Sequence, residues 1–287
     1  MEPELRYERE GRQYKITLVE DGQVIGKTDV RDCVIRIAGE WVRMGGIGNV
    51  VLDRAQRGKG YSARLLHAAL DYMRQERYPI SILFGIPNFY DRFGFVPVLQ
   101  DYEVSVATRD LEKLASQATV RPEREGERGV LLQLYHRVNV QRNGSQQRTG
   151  SDFDLHPDAS WWVQPRRILV AEYQGAPRGY LMLGSNPGNP TQLQAYEIIV
   201  PSEHVATAGA ALLAFLGQEA LTRRLERVSF PMPPDEPVVS LLRGIGCKVE
   251  VDFPANRRGM GRIIDLAALA AAITPGVALR ARWLPAN

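Results

Sequence analysis

One stretch constrains this chain more than any other: Gly48-Asn-Val-Val-Leu-Asp-Arg-Ala-Gln-Arg-Gly-Lys-Gly-Tyr-Ser-Ala-Arg-Leu-Leu66. It reads as an extended apolar run, a glycine-punctuated basic turn and then a helix. Leu65, Leu66, Ala69, Leu70 and Met73 recur at helical spacing, with Arg64, His67, Asp71 and Arg74 between them. Gly58 and Gly60 flank Lys59, so the backbone can turn tightly there and bring consecutive N–H groups toward one point. The unpaired N–H groups of the helix's first turn, together with its dipole, favour an anion at that point. Arg57 and Lys59 add positive charge beside it. The pattern is that of a phosphate cradle, with an ordinary basic strand-to-helix turn as the alternative. Two familiar phosphate loops do not fit: there is no Gly-x-x-x-x-Gly-Lys-Ser/Thr, and the glycine spacing is not that of a dinucleotide fingerprint.

A second stretch follows about one strand later. Ile80-Ser-Ile-Leu-Phe-Gly-Ile86 is an apolar run of buried-strand length, and Pro87-Asn-Phe-Tyr-Asp-Arg-Phe-Gly-Phe-Val-Pro97 comes after it. Arg57-Gly58-Lys59-Gly60-Tyr61-Ser62 resembles the Arg/Gln-x-x-Gly-x-Gly/Ala signature of GCN5-related N-acetyltransferases, which holds the coenzyme A pyrophosphate. Ser62 departs from the usual Gly or Ala and is small enough to be tolerated. The later stretch resembles that family's Phe-Tyr-x-Arg-x-Gly-Phe element, whose tyrosine serves as general acid. Both motifs occur in the family's order, and the resemblance is carried by residues 46–97.

That resemblance implies an α/β (α+β) fold: a mixed central sheet flanked by helices, with a V-shaped splay between two parallel strands. Gly45, Gly46 and Gly48 cluster before Val50-Val-Leu52, where glycine marks a bulge, a close backbone approach or simply a turn. By resemblance the bulge opens the splay, the backbone of Val50, Val51 and Leu52 pairs with the pantetheine arm, and Asn88 hydrogen-bonds the same arm. Arg57, Gly58, Lys59, Gly60, Tyr61 and Ser62 would hold the pyrophosphate. Acetyl-CoA is the implied co-substrate, and no metal is implied.

Chain length allows two domains with their own cores. Strands are expected at 14–19, 24–29, 33–37 and 41–44, with Tyr102–Val106 closing the first domain and a short helix over 108–114. About a dozen residues precede Tyr14, too few for the strand and two helices that wall the acceptor site in the family. The pattern then restarts near 116–119. A helix over 127–140 should bury Val130, Leu131, Leu134, Tyr135 and Val138, and residues 143–154 read as a loop. Strands at 168–173, 179–183 and 194–199, a helix over 206–221 and a strand at 227–230 complete a second copy. This copy lacks the chemistry: its turn is Pro201-Ser-Glu-His-Val, and Glu203 would repel a pyrophosphate. The expected organisation is a catalytic domain at 1–115, a degenerate copy at 116–266 and a tail at 267–287. A competent copy followed by a degenerate one resembles the enhanced-intracellular-survival acetyltransferases. By that comparison, the tail looks like the start of a sterol-carrier-like domain.

A net charge of +3, with Lys and Arg dispersed, argues against nucleic acid as the main partner. No apolar run reaches membrane-spanning length and the polar start carries no signal pattern, so neither membrane nor export is expected. Cys33 and Cys247 have no metal spacing and read as free thiols in the cytoplasm.

The implied reaction is direct attack by a neutral amine on the thioester of acetyl-CoA. A backbone N–H near Leu52 would polarise the carbonyl, and Tyr90 would protonate the leaving thiolate; a phenol of reference pKa about 10 keeps its proton at neutral pH. The alternative for Tyr90 is packing beside Phe89 and Phe93. Glu40 and His67 are candidate bases, each with a surface role as its alternative. The acceptor would be a polyamine-like or aminoglycoside-like amine, or lysine. Self-association is a further implication, a neighbouring copy supplying the missing wall. A non-catalytic acyl-CoA-binding regulator and a purely structural protein are the competing readings.

Overall fold

Alternating apolar residues in the first fifty positions produce an antiparallel meander. Its strands are β1 (Glu4–Glu10), β2 (Gln13–Glu20), β3 (Gln23–Ile37) and β4 (Glu40–Leu52). The computed structural model describes residues 2–149, 167–186 and 189–282. Two of the connections, Asp21-Gly22 and Ala38-Gly39, are two-residue turns with both residues in the left-handed region, which matches the twist of the flanking strands. The expected strands at 24–29 and 33–37 are one continuous β3, and those around 41–44 and 50–52 are one β4. β1 lies before the first expected strand. Its sequence, Glu-Leu-Arg-Tyr-Glu-Arg-Glu, is exposed almost throughout, so no buried face marked it as a strand. It pairs with β2 along its whole length, through a tight turn and without intervening helices.

Helix α1 (Tyr61–Gln75) covers one face of this meander. Leu65, Leu66, Ala69, Leu70 and Met73 pack on Ile16, Leu18, Ile25, Val30 and Ile47. Each large aliphatic side chain buried this way contributes about 1.5–3 kcal/mol. The opposite face is covered by α6 (Leu266–Ala281): Leu269, Ala272 and Ile273 meet Ile35, Val42 and Ile80. Asp265 caps α6, its carboxylate accepting from the Ala268 N–H at 2.9 Å. The helical start of the tail expected at 267–287 is therefore part of the first unit's core, because its apolar face finds a sheet there. Trp283 and the residues after it lie outside the described residues.

Gly276 is where α6 touches the β3–β4 turn. A Cβ at that position would lie 2.1 Å from the Ala38 carbonyl oxygen, a backbone atom that cannot rotate away. Gly276→Ala is expected to destabilise the protein by about 1–3 kcal/mol, read as a lower urea midpoint with an unchanged m-value.

β5 (Ile80–Gly85) joins β4 in parallel. The rest of the sheet departs from the expected contiguous layout. The sheet order is β1-β2-β3-β4-β5-β14-β6, with β6 (Val96–Pro97) at the edge and β14 (Arg258–Ile263) between it and β5. β7 (Asp101–Ala107), expected to close this sheet, instead pairs with β12 (Arg227–Phe230) and β13 (Cys247–Asp252) in a separate three-stranded sheet. Alternation showed that Tyr102–Val106 buries one face, but not which sheet buries it. The compact units are accordingly interleaved: residues 1–100, 141–147 and 253–287 form one, and residues 101–140 and 148–252 the other. They do not divide at 115.

In the second unit, β8 (Thr119–Pro122), β9 (Arg167–Tyr173), β10 (Ala176–Asn186) and β11 (Asn189–Ile199) form a four-stranded meander in the order β11-β10-β9-β8. α3 (Arg128–Asn139) packs Leu131, Leu134 and Tyr135 on Ile168, Val170 and Tyr180. Val130, expected on that face, is exposed. Short α2 (Thr108–Leu111), α4 (Ala210–Thr222) and α5 (Val239–Ile245) complete the unit, with Leu212, Leu213, Leu216, Phe230 and Leu242 in its core. A meander, a helix and then a further strand repeat the plan of the first unit, so the fold is a tandem α/β arrangement. Of the loop expected at 143–154, residues 150–154 lie outside the described residues. Ser202–Thr222 is the one helical stretch among the described residues long and apolar enough to cross a membrane; 56% of its apolar window is buried, as in a core helix.

Candidate functional site

The first unit's sheet opens between its two parallel strands. β4 and β5 pair from Met44↔Ile80 to Ile47↔Leu83 and no further. Beyond that point β4 stays with β3 and β5 stays with β14, so the two strands part. A register shift between Lys27 and Asp29 gives β4 one extra residue there, and Asn49 takes a left-handed φ of 50°. The glycine cluster thus includes the bulge that sequence suggested. Val50, Val51 and Leu52 form one wall of the opening. Val51, Phe84 and Ile86 expose 53%, 76% and 63% of their surface around it, apolar area with no partner among the described residues.

At the far end of β4 the chain turns through Arg54–Gln56 into α1. Gly58 and Gly60 have φ near 80°, a conformation glycine adopts without steric cost. A Cβ at either would meet nothing within 4 Å. Gly60 caps α1 without any side-chain hydrogen bond, and no acidic residue sits in the first turn. The leading N–H groups of Tyr61 and Ser62 therefore face open space with the positive end of the helix dipole behind them. Lys59 Nζ donates to Gln56 Oε1 at 2.7 Å, and Gln56 Nε2 to Glu20 at 2.8 Å, which braces the turn. Arg57 is exposed beside it. This arrangement fits an anion.

After β5, Asn88 turns the chain with φ 56°; its N–H donates to the Asn256 carbonyl at 3.2 Å. Tyr90 follows at the start of a short turn, Asp91–Phe93. Its ring lies edge-on to Phe89 at 4.8 Å and to Phe95 at 6.4 Å, and it is only 8% exposed. It also fills the space beside Gly85, where a Cβ would come within 2.6 Å of the ring. Tyr90 is thus held against the end of β5 by that glycine. Its hydroxyl makes no hydrogen bond among the described residues, and burial pushes its pKa above the ordinary tyrosine value. The packing that the sequence offered as the alternative to an acid role is present, and it holds Tyr90 at the end of β5 next to the opening.

The two candidate bases are not brought to the opening. Glu40 stands at the start of β4, eight residues from Gly48, or about 26 Å along a strand. Its Cγ neighbours Gly276 of α6. His67 is exposed on α1, 5.5 Å edge-on from Phe93, and lines a separate cavity of about 450 Å³ with Tyr7, Tyr14 and Tyr72. Sequence reasoning missed Asp29, a carboxylate only 7% exposed that pairs across the sheet with Gly48. A single acid in an otherwise ordinary strand gave no pattern to find.

In the second unit, the chain after β11 passes through Ser202–His204 and a wide turn, Val205–Gly209, into α4. Glu203 pairs there with Arg137 at 2.5 Å. No glycine along this turn takes a positive φ, so nothing like the open turn of the first unit is formed. Cys33 and Cys247 form no disulfide among the described residues, the first being buried and the second half-buried. Among the described residues no group of three His, Cys, Asp or Glu could hold a metal ion.

Comparison with known proteins agrees with this geometry. The family described as "Acetyltransferase (GNAT) domain" matches residues 4–98. Among solved structures, a GCN5-related N-acetyltransferase from Kribbella flavida is similar at 23% identity and TM-score 0.68, over 90% of this chain and 62% of that one. One from Anabaena variabilis is similar at 16% identity and TM-score 0.69, over 90% and 64%. Eis1 from Mycobacterium abscessus is similar at 18% identity and TM-score 0.62, over 92% and 67%. The chain thus spans 62–67% of the length of these structures. No curated protein matches it. The parted strands, the open glycine turn and the family match coincide in one segment: residues 4–98 match the GNAT acetyltransferase domain family, and the chain shares its fold with solved GCN5-related N-acetyltransferases.

Proposed function

We propose that the first unit is an acyl-CoA N-acyltransferase that moves an acetyl group from acetyl-CoA to a primary amine, by direct attack in a ternary complex. The observation that carries this reading is the parting of β4 and β5 beyond Ile47 and Leu83, beside an uncapped helix start with open space over two glycines. In this reading the pyrophosphate rests on the turn from Arg57 to Ser62. The pantetheine arm lies along the main chain of Val50, Val51 and Leu52, and Asn88 contacts it from the other wall. The N–H near Leu52 polarises the thioester carbonyl, so the amine nitrogen bonds to carbon while the carbon–sulfur bond breaks. Tyr90 gives its proton to the departing thiolate, and the proton that the amine nitrogen sheds on becoming an amide passes to solvent, from which the Tyr90 phenolate is reprotonated. The acceptor is a small polyamine-like or aminoglycoside-like amine, or lysine, met in the cytoplasm, where thiols such as Cys33 and Cys247 stay reduced. The second unit is a structural or substrate-shaping copy that binds no coenzyme, since Glu203 stands in the turn before its helix.

Coenzyme A should raise the melting temperature by mass action, and acetyl-CoA should release thiol when an amine panel is added. Binding without turnover on any amine would favour the acyl-CoA-binding regulator. Absence of both binding and turnover would overturn the reading.

A further inference from the structure

The strongest unassigned group in the molecule is Asp29. It is a carboxylate only 7% exposed, set in the middle strand of a sheet. Such a charge is costly to bury unless it is hydrogen-bonded. Gln13 Nε2 donates to its Oδ2 at 2.7 Å, and Asn49 Nδ2 donates to the same oxygen. The other oxygen, Oδ1, accepts no hydrogen bond among the described residues. Lys15, the cross-strand neighbour, hydrogen-bonds Glu10, so its charge acts on Asp29 without a direct hydrogen bond. One oxygen is thus fixed by two amides while the other is left available.

Its position is specific. Asp29 pairs with Gly48, the first residue of β4 past the last β4–β5 pair, and directly paired residues share a face of the sheet. A Cβ on Gly48 would meet nothing within 4 Å, so the space beside Asp29 is open. Counting alternate residues along β3 from Ile35 and along β5 from Ile80 puts Asp29 and Phe84 on the same face, the one α6 covers elsewhere. Phe84 is the first β5 residue past the vertex and is 76% exposed. A buried carboxylate and a bare aromatic ring therefore flank the point where the strands part, on the face away from α1. Together they suit an alkylammonium group, the charge meeting the carboxylate and the ring adding a cation–π contact.

We propose that Asp29 binds the acceptor in its ammonium form beside the vertex of the splay, selecting cationic aliphatic amines; the nitrogen that attacks first gives its extra proton to solvent and reacts as the neutral amine. Asn49 then has a double part: as the bulge residue it opens the strands, and its amide aims the carboxylate. This inference rests on the N-acetyltransferase reading above.

The test uses the full chain with acetyl-CoA, spermidine as the cationic acceptor and hydroxylamine as one uncharged at neutral pH. Asp29→Asn is expected to raise KM for spermidine at least tenfold and to lower the preference for spermidine over hydroxylamine by a similar factor. The Kd for coenzyme A should change less than twofold. Gly48→Ala, which fills the open space without crowding any atom, should keep the wild-type melting temperature yet also raise KM for spermidine. It keeps the test decisive should the Asp29 variant fold poorly. A spermidine KM within twofold of wild type in both variants overturns the proposal while leaving the transferase reading intact. If the wild type releases no thiol with any amine, the transferase reading fails first. Spermidine binding is then measured by calorimetry: binding that is lost in Asp29→Asn supports the ammonium site, and no binding to the wild type overturns it.

Discussion

Tyr90→Phe is expected to lower kcat about 10²–10³-fold, within the range that a positioned general acid contributes, while the Kd for acetyl-CoA and the melting temperature stay close to wild type. The expectation follows from the separation of ring and hydroxyl in the structure. The ring is packed against Phe89, Phe95 and the bare backbone of Gly85, and Phe keeps all of those contacts. The hydroxyl has no hydrogen-bond partner among the described residues, so removing it leaves no buried group unsatisfied. A structural tyrosine would lose stability through its hydroxyl; this one has nothing structural to lose. The pH dependence carries the same signature. Burial raises the Tyr90 pKa above its ordinary value of about 10. The acid form therefore persists to higher pH, and wild-type kcat should not fall through phenol ionisation below pH ~10. Wild-type kcat in Tyr90→Phe would show that the thiolate leaves without this proton.

A fragment of residues 1–115, the domain that the sequence suggests cutting out, is expected not to fold. It would lack β14, so β5 would lose its antiparallel neighbour, and Met260, fully buried in the α1-side core, would be absent. Losing one buried side chain of that size costs about 2–5 kcal/mol. The fragment would also lack α6, uncovering Ile35, Val42 and Ile80. It would carry β7 without either of its partners. Against a typical total stability of about 5–15 kcal/mol, these losses are decisive. Circular dichroism of the fragment should show no cooperative thermal transition. Joining residues 1–100 through a flexible linker to residues 253–282 restores β14 and α6, omits β7, and should recover one. A cooperative transition in the 1–115 fragment itself would mean that β14 is dispensable.

Much of this architecture was legible in the chain because local chemistry fixes it. Gly58 and Gly60 around Lys59 announced a left-handed turn before a helix, and the periodicity of Leu65, Leu66, Ala69, Leu70 and Met73 announced which face that helix buries. Gly45, Gly46 and Gly48 announced an irregularity in β4. What escaped was set by partners distant in sequence. β1 has almost no apolar face, so only its pairing with β2 makes it a strand. β7 and β14 each show the pattern of a half-buried strand, and nothing local says which sheet receives them. Glu40 qualified as a base by residue type alone, and the length of β4 removes it from the opening. Asp29 became visible only once the register placed it opposite Gly48.

In the proposed reading, the opening between β4 and β5 would also act as a sieve. Its walls are main chain, they converge to ordinary strand-pairing distance at Ile47 and Leu83, and close to that vertex the gap is narrow. A peptide strand would send a side chain to one sheet face or the other at every residue, whereas an unbranched arm of methylenes and amides sends none. Strand geometry would thus discriminate by cross-section before any side chain takes part. In the proposed reaction, variation of the residues around the rim would then alter what is acylated without altering what donates the acyl group.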